Sequence, residues 1–303
     1  MHIGWVELHY RNHKQLHRYL YSGWKLSSEL RFKLVGSRVI VYLTFTKHFE
    51  VEHNPRNAAA VDVNENNATV ALFKSGALTE VYRVETNLGR HVIEYSERRK
   101  RITGATRLRS GRLGRSLRSC ERGRKPDILR KTARLVEKLA TEKAVVVISN
   151  IGGEAKERME RDKNAELRHR IHQWSASALI KLLEEKPVHV VKVSEKGSSS
   201  TDPFTGARIN GYTPLMIRCA VKEVKKVRVV KLVLRAAKVN GRALERDVVG
   251  VINIGLRYLN PDGSPMALDS TGTHEVQVKL VNSHRGAAPL TGLQVFTDIT
   301  KYR

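Results

Sequence analysis

Between Trp24 and Thr46 apolar and polar residues alternate, with Leu30, Phe32 and Leu34 in one run and Val39, Val41 and Leu43 in the next. A period of two predicts two half-buried strands, and Gly36–Ser37 between them predicts a hairpin turn. A polar connector, "KHFEVEHNPRN", leads to three more strand-like runs at 58–63, 68–73 and 79–84, broken at "NENN" and "KSGA". Both breaks have turn composition. "AVVVIS" at 144–149 and "VHVVKVS" at 188–194 are short, apolar and β-branched, as expected of central strands covered on both faces. Helical spacing appears in "ILRKTARLVEKLATEK" from Ile128, with Leu129, Val136 and Leu139 apolar. It appears again at Leu167, Ile171, Trp174 and Ala178, where Trp174 reads as core rather than as a base-stacking platform, and in "ERDVVGVINIGLRYL", with Asp247 in its first turn. Residues 197–246 read as an irregular insertion with one β-like run, "KVRVVKLVLRA". From 260 the chain is rich in Pro, Gly, Ser and Thr, without periodicity until "LQVF". There is no internal repeat.

Charge changes this picture. The 303 residues carry 55 Lys plus Arg against 30 Asp plus Glu, a formal net charge of +25, which points to a polyanionic partner. From Arg98 to Arg134 only Glu121 and Asp127 are acidic, and "RLRSGRLGRSLRSCERGRKP" is dense in Arg, Gly and Ser. One-signed charge over so long a span reads as a phosphate-tracking segment rather than as a solvated, disordered arm. Its candidate contacts are Arg98, Arg99, Lys100, Arg101, Arg107, Arg109, Arg112, Arg115, Arg118, Arg122 and Arg124. Cys120 and Cys219 alone make neither a disulfide framework nor a zinc site. The opening "MHIGWVELHYRNHK" is no signal peptide, and no apolar run approaches a membrane span. A soluble, cytoplasmic protein is expected.

Asp62 poses the chemical question, because it ends an apolar strand where an unpaired charge is costly. The order of three strands, a helical region, a strand, a helix, a strand and a last helix is compatible with an RNase H-like α/β sheet. Two-metal phosphodiester hydrolysis on such a sheet needs carboxylates on the first strand, at the end of the fourth, and on the last helix. Asp62 supplies the first and Asp247 the third. The second position holds Ser149, followed by Asn150.

With these residues in view, the chain resembles the TnpB (OrfB) proteins of insertion sequences, relatives of type V CRISPR effectors. The resemblance rests on "VDVNEN", "VVVISNI", "RHRIHQWSASALIKLLEEK" and, most specifically, "ERDVVGVINIGLRYL" with Arg246, Asp247, Asn253 and Ile254. It extends loosely over residues 24 to 259. It implies a RuvC-type, RNase H-like mixed sheet flanked by helices, DNA and guide RNA as partners, and Asp62 and Asp247 as catalytic ligands of Mg²⁺. The family's glutamate is replaced by Ser149, whose hydroxyl brings no charge to offset the ions. The family's zinc-ribbon cysteines fall on Asp202, Thr205, Ala237 and Asn240, with Gly206 and Gly241 kept. Zinc at a four-cysteine site is excluded.

The expected organisation follows. Residues 1–52 form a remnant of an N-terminal β domain of oligonucleotide-binding kind, without the family's helical recognition domain. Residues 53–196 form the first part of the RuvC-like domain and include a basic helical segment at 86–142. A cysteine-free, zinc-ribbon-like insertion covers 197–246, the final RuvC-like helix 247–259, and an irregular tail 260–303. The reading is a TnpB-like mobile-element protein, shortened or decayed, that binds nucleic acid, holds Mg²⁺ weakly and has weak or absent nuclease activity. One alternative is an active Mg²⁺-dependent endonuclease with a displaced third carboxylate such as Glu154 or Glu65. Another is a basic RNA-binding protein with no tie to cleavage.

Overall fold

The computed structural model of the chain describes residues 14–48, 50–103, 107–140, 143–150, 176–221, 229–239, 242–262, 278–282 and 293–295. It divides into two units, Met1–Glu50 and Val51–Arg303. In the first, α1 (Lys14–Tyr21) precedes the antiparallel strands β1 (Lys25–Val35) and β2 (Arg38–Thr46). The expected turn is present, with Gly36 at φ +59°, where glycine avoids the steric cost of a side chain. Leu30 faces Leu43, Phe32 faces Val41 and Leu34 faces Val39. Leu30, Phe32, Leu34, Val39 and Leu43 are all exposed. Tyr19 of α1 stacks on Phe45 and meets Trp24 edge-on, both at 5.3 Å between ring centroids.

The second unit runs β3 (Asn54–Val63), β4 (Asn67–Lys74), β5 (Ala77–Glu85), α2 (Leu88–Thr103), α3 (Arg107–Leu139), β6 (Ala144–Ser149), α4 (Ala176–Glu184) and β7 (Val190–Val193). It continues with β8 (Thr213–Val221), β9 (Val229–Val239), β10 (Arg242–Glu245), α5 (Arg246–Leu259), β11 (Val278–Asn282) and β12 (Leu293–Val295). Six strands form one mixed sheet in the order β11-β5-β4-β3-β6-β7. β3, β4 and β5 are an antiparallel meander, while β6 runs parallel to β3 and β7 parallel to β6. β3 and β6, with unbroken buried apolar runs, lie side by side inside the sheet, each flanked on both sides.

Alternation assigns each face. Val61, Val63, Val70, Val146 and Ile148 face a core closed by Ile128, Leu129 and Val136 of α3 and by Leu179 and Leu183 of α4. Ala58, Ala60, Ala71, Phe73, Val81, Val145 and Val147 face the other way, onto Val248, Val251, Ile252 and Ile254 of α5. Phe204, Ile209, Ala237 and Leu244 join that second core. Thus α5 is packed between the main sheet and the insertion.

Several expectations need correction. Within the basic segment, α3 begins at Arg107 rather than near Ile128 and continues through Pro126. Arg and Leu are strong helix formers, and they outweigh the scattered glycines. β7 is an edge strand among the described residues and is only half-buried, not central. The insertion is not irregular, since β8, β9 and β10 form a sheet with β12. The tail contributes β11, parallel to β5 at the far edge of the main sheet. The helical positions Leu167, Ile171 and Trp174 lie outside the described residues. No helix among the described residues is long and apolar enough to cross a membrane.

The seat of α5 on the sheet depends on a missing side chain. A Cβ built on Gly255 would lie 2.7 Å from Cζ of the buried Phe73 ring. Alanine gains about 1 kcal/mol over glycine in a helix, but forcing an atom into a filled core costs roughly 1–3 kcal/mol. Gly255→Ala should therefore lower the thermal midpoint by about 2–6 °C, and adding Phe73→Leu should return part of the loss. A midpoint that does not fall on circular-dichroism melting would show that the ring yields freely.

Candidate functional site

Register places a polar row across the α5 face of an otherwise apolar sheet. Asp62 on β3 lies opposite Thr69 on β4, and Thr69 opposite Arg83 on β5. Parallel pairing of Val61 with Ile148 puts Ser149 next to Asp62, and Ser149 pairs in turn with Val193. Thr69, Arg83 and Ser149 are all buried. Side chains two apart on a strand share a face. Asp62 therefore continues the Ala58–Ala60 line and Ser149 the Val145–Val147 line, both toward α5. Glu195, in the segment that follows β7, lies close enough to Asp62 for its charge to act on that carboxyl.

Helix α5 brings the remaining groups. A Cβ built on Gly250 would sit 3.3 Å from Asp62 Oδ2. Asp247 is three residues earlier on the same side, about 5–6 Å away between Cβ positions. Asp62 is therefore within about 9 Å of the Asp247 Cβ. At the N-terminal cap of α5, Glu245 makes no capping bond with its side chain and pairs instead with Arg83. Glu245 is thus neutralised at the far end of the polar row.

Electrostatics ties the acids together. Burial pushes the Asp62 carboxyl up from 3.8 to about 7, and the negative charges of Asp247 and Glu195 push the same way. A hydrogen bond donated by Asn64 Nδ2 to Asp62 Oδ2, at 3.3 Å, and the Arg246 guanidinium oppose the rise. Glu195 is also raised by burial, against the pull of Arg246 and Arg257. Tyr212 joins the same cluster: burial pushes its phenol up to about 12, with Arg246 opposing and Asp202 and Asp247 adding to the rise. Its hydroxyl donates to the Ser199 carbonyl at 2.6 Å.

Among the described residues, no three His, Cys, Asp or Glu side chains meet closely enough to ligate an ion. The chemistry of the nearby donors is nevertheless that of carboxylates, the kind a hard divalent cation takes. With all three ionised, Asp62, Asp247 and Glu195 against Arg246 and Arg257 leave one negative charge uncompensated, and carboxylate oxygens suit Mg²⁺. A cation there would relieve the penalty carried by Asp62.

Asp62 and Asp247 are brought together as sequence spacing implied, with Ser149 beside Asp62 in the sheet. Of the two candidate replacements for the missing acid, Glu154 lies outside the described residues. Glu65 is turned to the start of α2, where its Oε1 would lie 2.7 Å from a Cβ on Gly89. Sequence reasoning missed Glu195. Its signal was available: counting by twos along "VVKVSE" puts it on the face of Val191 and Val193. Of the basic candidates, Arg98, Lys100, Arg101 and Arg124 are exposed and Arg99 is half-buried on α2 and α3. Arg107, Arg109, Arg112, Arg115, Arg118 and Arg122 belong to α3, with side chains outside the described set.

In the insertion, two of the four cysteine positions implied by the resemblance bond to each other. Thr205 Oγ1 donates to Asp202 Oδ2 at 2.6 Å, the Phe204 amide donates to Asp202 Oδ1 at 3.0 Å, and Gly206 turns at φ +73°. Ala237 is buried against the α5 core, and Asn240 lies outside the described residues.

No protein-family model and no curated protein matches the sequence. Among solved structures the chain is similar to one described as the cryo-EM structure of the Cas12f1–sgRNA–target DNA complex. The TM-score is 0.50 and the identity 13%, over 80% of this chain and 47% of that one. This chain spans about half the length of that neighbour. The likeness is one of fold, a mixed sheet flanked by helices, and agrees at that level with the type V effector resemblance.

A pH test follows from Asp62. An unfolded aspartate ionises near 3.8 and the folded one at about 7, so between these values the folded state holds the extra proton. The native carboxylate therefore carries no penalty below about pH 4 and a full penalty, up to about 4 kcal/mol, above about pH 7. Without divalent ions, Asp62→Asn should be more stable than the natural protein at pH 8 and nearly equal to it at pH 4. Millimolar Mg²⁺ should narrow the gap at pH 8. Urea melts at both pH values measure this, and a stability difference independent of pH would mean that Asp62 ionises normally.

Proposed function

We propose that this chain is a TnpB-like, RNA-guided DNA-binding protein whose RuvC-type, RNase H-like core is an Mg²⁺-dependent endonuclease. Its carboxylates are Asp62, Asp247 and Glu195. The observation that carries this reading is the convergence of strand β3, the segment after β7 and the first turn of α5 on one end of one sheet face. Glu195 supplies from the neighbouring strand the acid that Ser149 lacks. The net charge of +25, the basic helices α2 and α3, and a structural neighbour solved with sgRNA and target DNA support nucleic acid as the partner.

Asp62, Asp247 and Glu195 would hold a divalent cation, which would supply charge stabilisation for phosphodiester hydrolysis. The chain's own part is positional. Asp62 is held half-buried beside β4 and Gly250 and aimed by Asn64. Arg246 acts on both Asp62 and Glu195 and offsets part of their repulsion. A second reading, binding without cutting, draws on Ser149 and on the absence of a tight three-ligand cluster among the described residues.

Cleavage of labelled DNA in Mg²⁺, with co-purified RNA retained, separates the two. The natural protein should cut, and Asp62→Ala or Glu195→Gln should each lower the rate by about 10² or more, as expected for groups that act as a unit. Ser149→Glu in the Glu195→Gln background should restore part of it, since both positions lie on one face. An inert natural protein that gains activity from Ser149→Glu alone would return the reading to binding without cutting.

The basic helices make a separate prediction. If α3 tracks the backbone, replacing Arg107, Arg109, Arg112 and Arg115 by Gln should flatten the log–log salt slope of duplex binding by about 0.9 for each phosphate no longer neutralised. An unchanged slope in a fluorescence-anisotropy titration would place the interface elsewhere.

A further inference from the structure

Glu195 lies outside regular structure, two residues beyond the end of β7. A long acidic side chain on a surface loop ordinarily samples many positions. Here the backbone around it is tied at every carbonyl. Val193 O accepts from the Asn150 amide at 2.7 Å, Glu195 O from Ser198 at 2.9 Å, and Gly197 O from Ser200 at 3.0 Å. Ser199 O accepts from the Tyr212 hydroxyl at 2.6 Å, Ser200 O from Ile209 at 2.9 Å, and Asp202 O from Gly206 at 2.9 Å. The remaining four, Ser194, Lys196, Ser198 and Thr201, accept from two side chains of α5.

Those two side chains divide the work. Asn253 Nδ2 donates to Ser198 O at 2.6 Å and to Thr201 O at 2.7 Å, holding the start of the insertion. Arg257, one turn further along α5, donates through Nη1 to Ser194 O and through Nη2 to Lys196 O at 2.5 Å. Its planar fork therefore holds the carbonyls immediately before and after Glu195. Gly197, at φ +79°, completes the turn that returns the chain toward α5.

We propose that Arg257 is a positioning residue for Glu195: by bridging the Ser194 and Lys196 carbonyls it fixes the backbone that presents this carboxylate to the α5 face. The inference rests on the metal-site reading above. A guanidinium suits the task because its donors diverge from a rigid plane and can satisfy two acceptors at once, whereas an ammonium is a single point. Its positive charge also favours the ionised form of Glu195. The Arg257 guanidinium is committed to these two carbonyls rather than to Asp62 or Asp247, so its effect on a metal should pass through Glu195 alone.

The test is Mn²⁺ affinity of the full chain, read from the free-ion electron paramagnetic resonance signal, for five proteins. These are the natural protein, Glu195→Gln, Arg257→Gln, Arg257→Lys and the double variant Glu195→Gln/Arg257→Gln, each first checked by thermal melting. Arg257→Gln should weaken Mn²⁺ binding about tenfold, and Arg257→Lys less, since lysine keeps the charge and loses the bridge. In the Glu195→Gln background, Arg257→Gln should add nothing. Two losses that multiply, or an Arg257→Gln protein that binds normally while Glu195→Gln does not, would overturn the positioning role. Should Arg257→Gln fail to fold, Arg257→Lys alone and combined with Glu195→Gln carries the same cycle. A Glu195→Gln protein that binds Mn²⁺ as the natural one does would instead overturn the underlying metal-site reading, and the positioning role with it.

Discussion

Placing the charge of Asp62 between a sheet and a helix is the constraint around which this unit is organised. A carboxylate so buried is tolerated only if something offsets its lost hydration, and the surroundings do so incompletely, which is why burial lifts it to about 7. The rest of the geometry serves that placement. β3 must be central so that Asp62 is covered, and its neighbour β6 must be apolar on both faces. Helix α5 must come close, and it does so through Gly250 at Asp62 and Gly255 at Phe73. Stability is given up at one end of the face to hold this group, a familiar relation between strain and function.

Helix α5 is the element that converts this local strain into a site. Its cap residue Glu245 is held by Arg83 on β5, a buried pair whose loss on one side typically costs about 3–5 kcal/mol. Its first turn offers Asp247, its second the gap at Gly250, and its last two turns grip the segment that follows β7. In 14 residues it crosses from β4 over β3 and β6 to β7. The Arg-Asp and Asn-Ile pairs that marked this helix in the sequence are therefore explained by different duties. Asp247 faces the cluster, whereas Asn253 is a backbone clamp and Ile254 is buried core.

Much of the fold was legible from periodicity because each face of the main sheet is either buried or not, and a period of two records that directly. The meander β3–β4–β5, the buried β6 and the helix α5 were visible for this reason, and so was the pairing of Asp62 with Asp247. What escaped had other causes. The early start of α3 was hidden because glycines and serines between Arg107 and Arg124 blur the helical period, although Arg and Leu favour a helix even among them. The edge position of β7 was hidden because a short apolar strand carries no mark of how many neighbours it has. β11 was hidden because five residues that pair in parallel leave no local signature. Glu195 was missed because the second acid was sought at the end of one particular strand. The sheet needs it only on one face, and the register between β6 and β7 decides which residues qualify.

That register has a consequence for how such chains are recognised. Ser149 and Val193 are direct neighbours, about 4.8 Å apart across the sheet, and Glu195 follows two residues after Val193, in the segment that α5 holds. An acid can therefore migrate between adjacent strands without leaving its side of the sheet, provided the loop beyond the second strand is held firmly enough to present it. A motif is a one-dimensional address, and the chemistry belongs to a two-dimensional surface. Chains that have lost the residue at the address while keeping the charge on the surface would be sorted with the decayed members of a group although their electrostatics are intact.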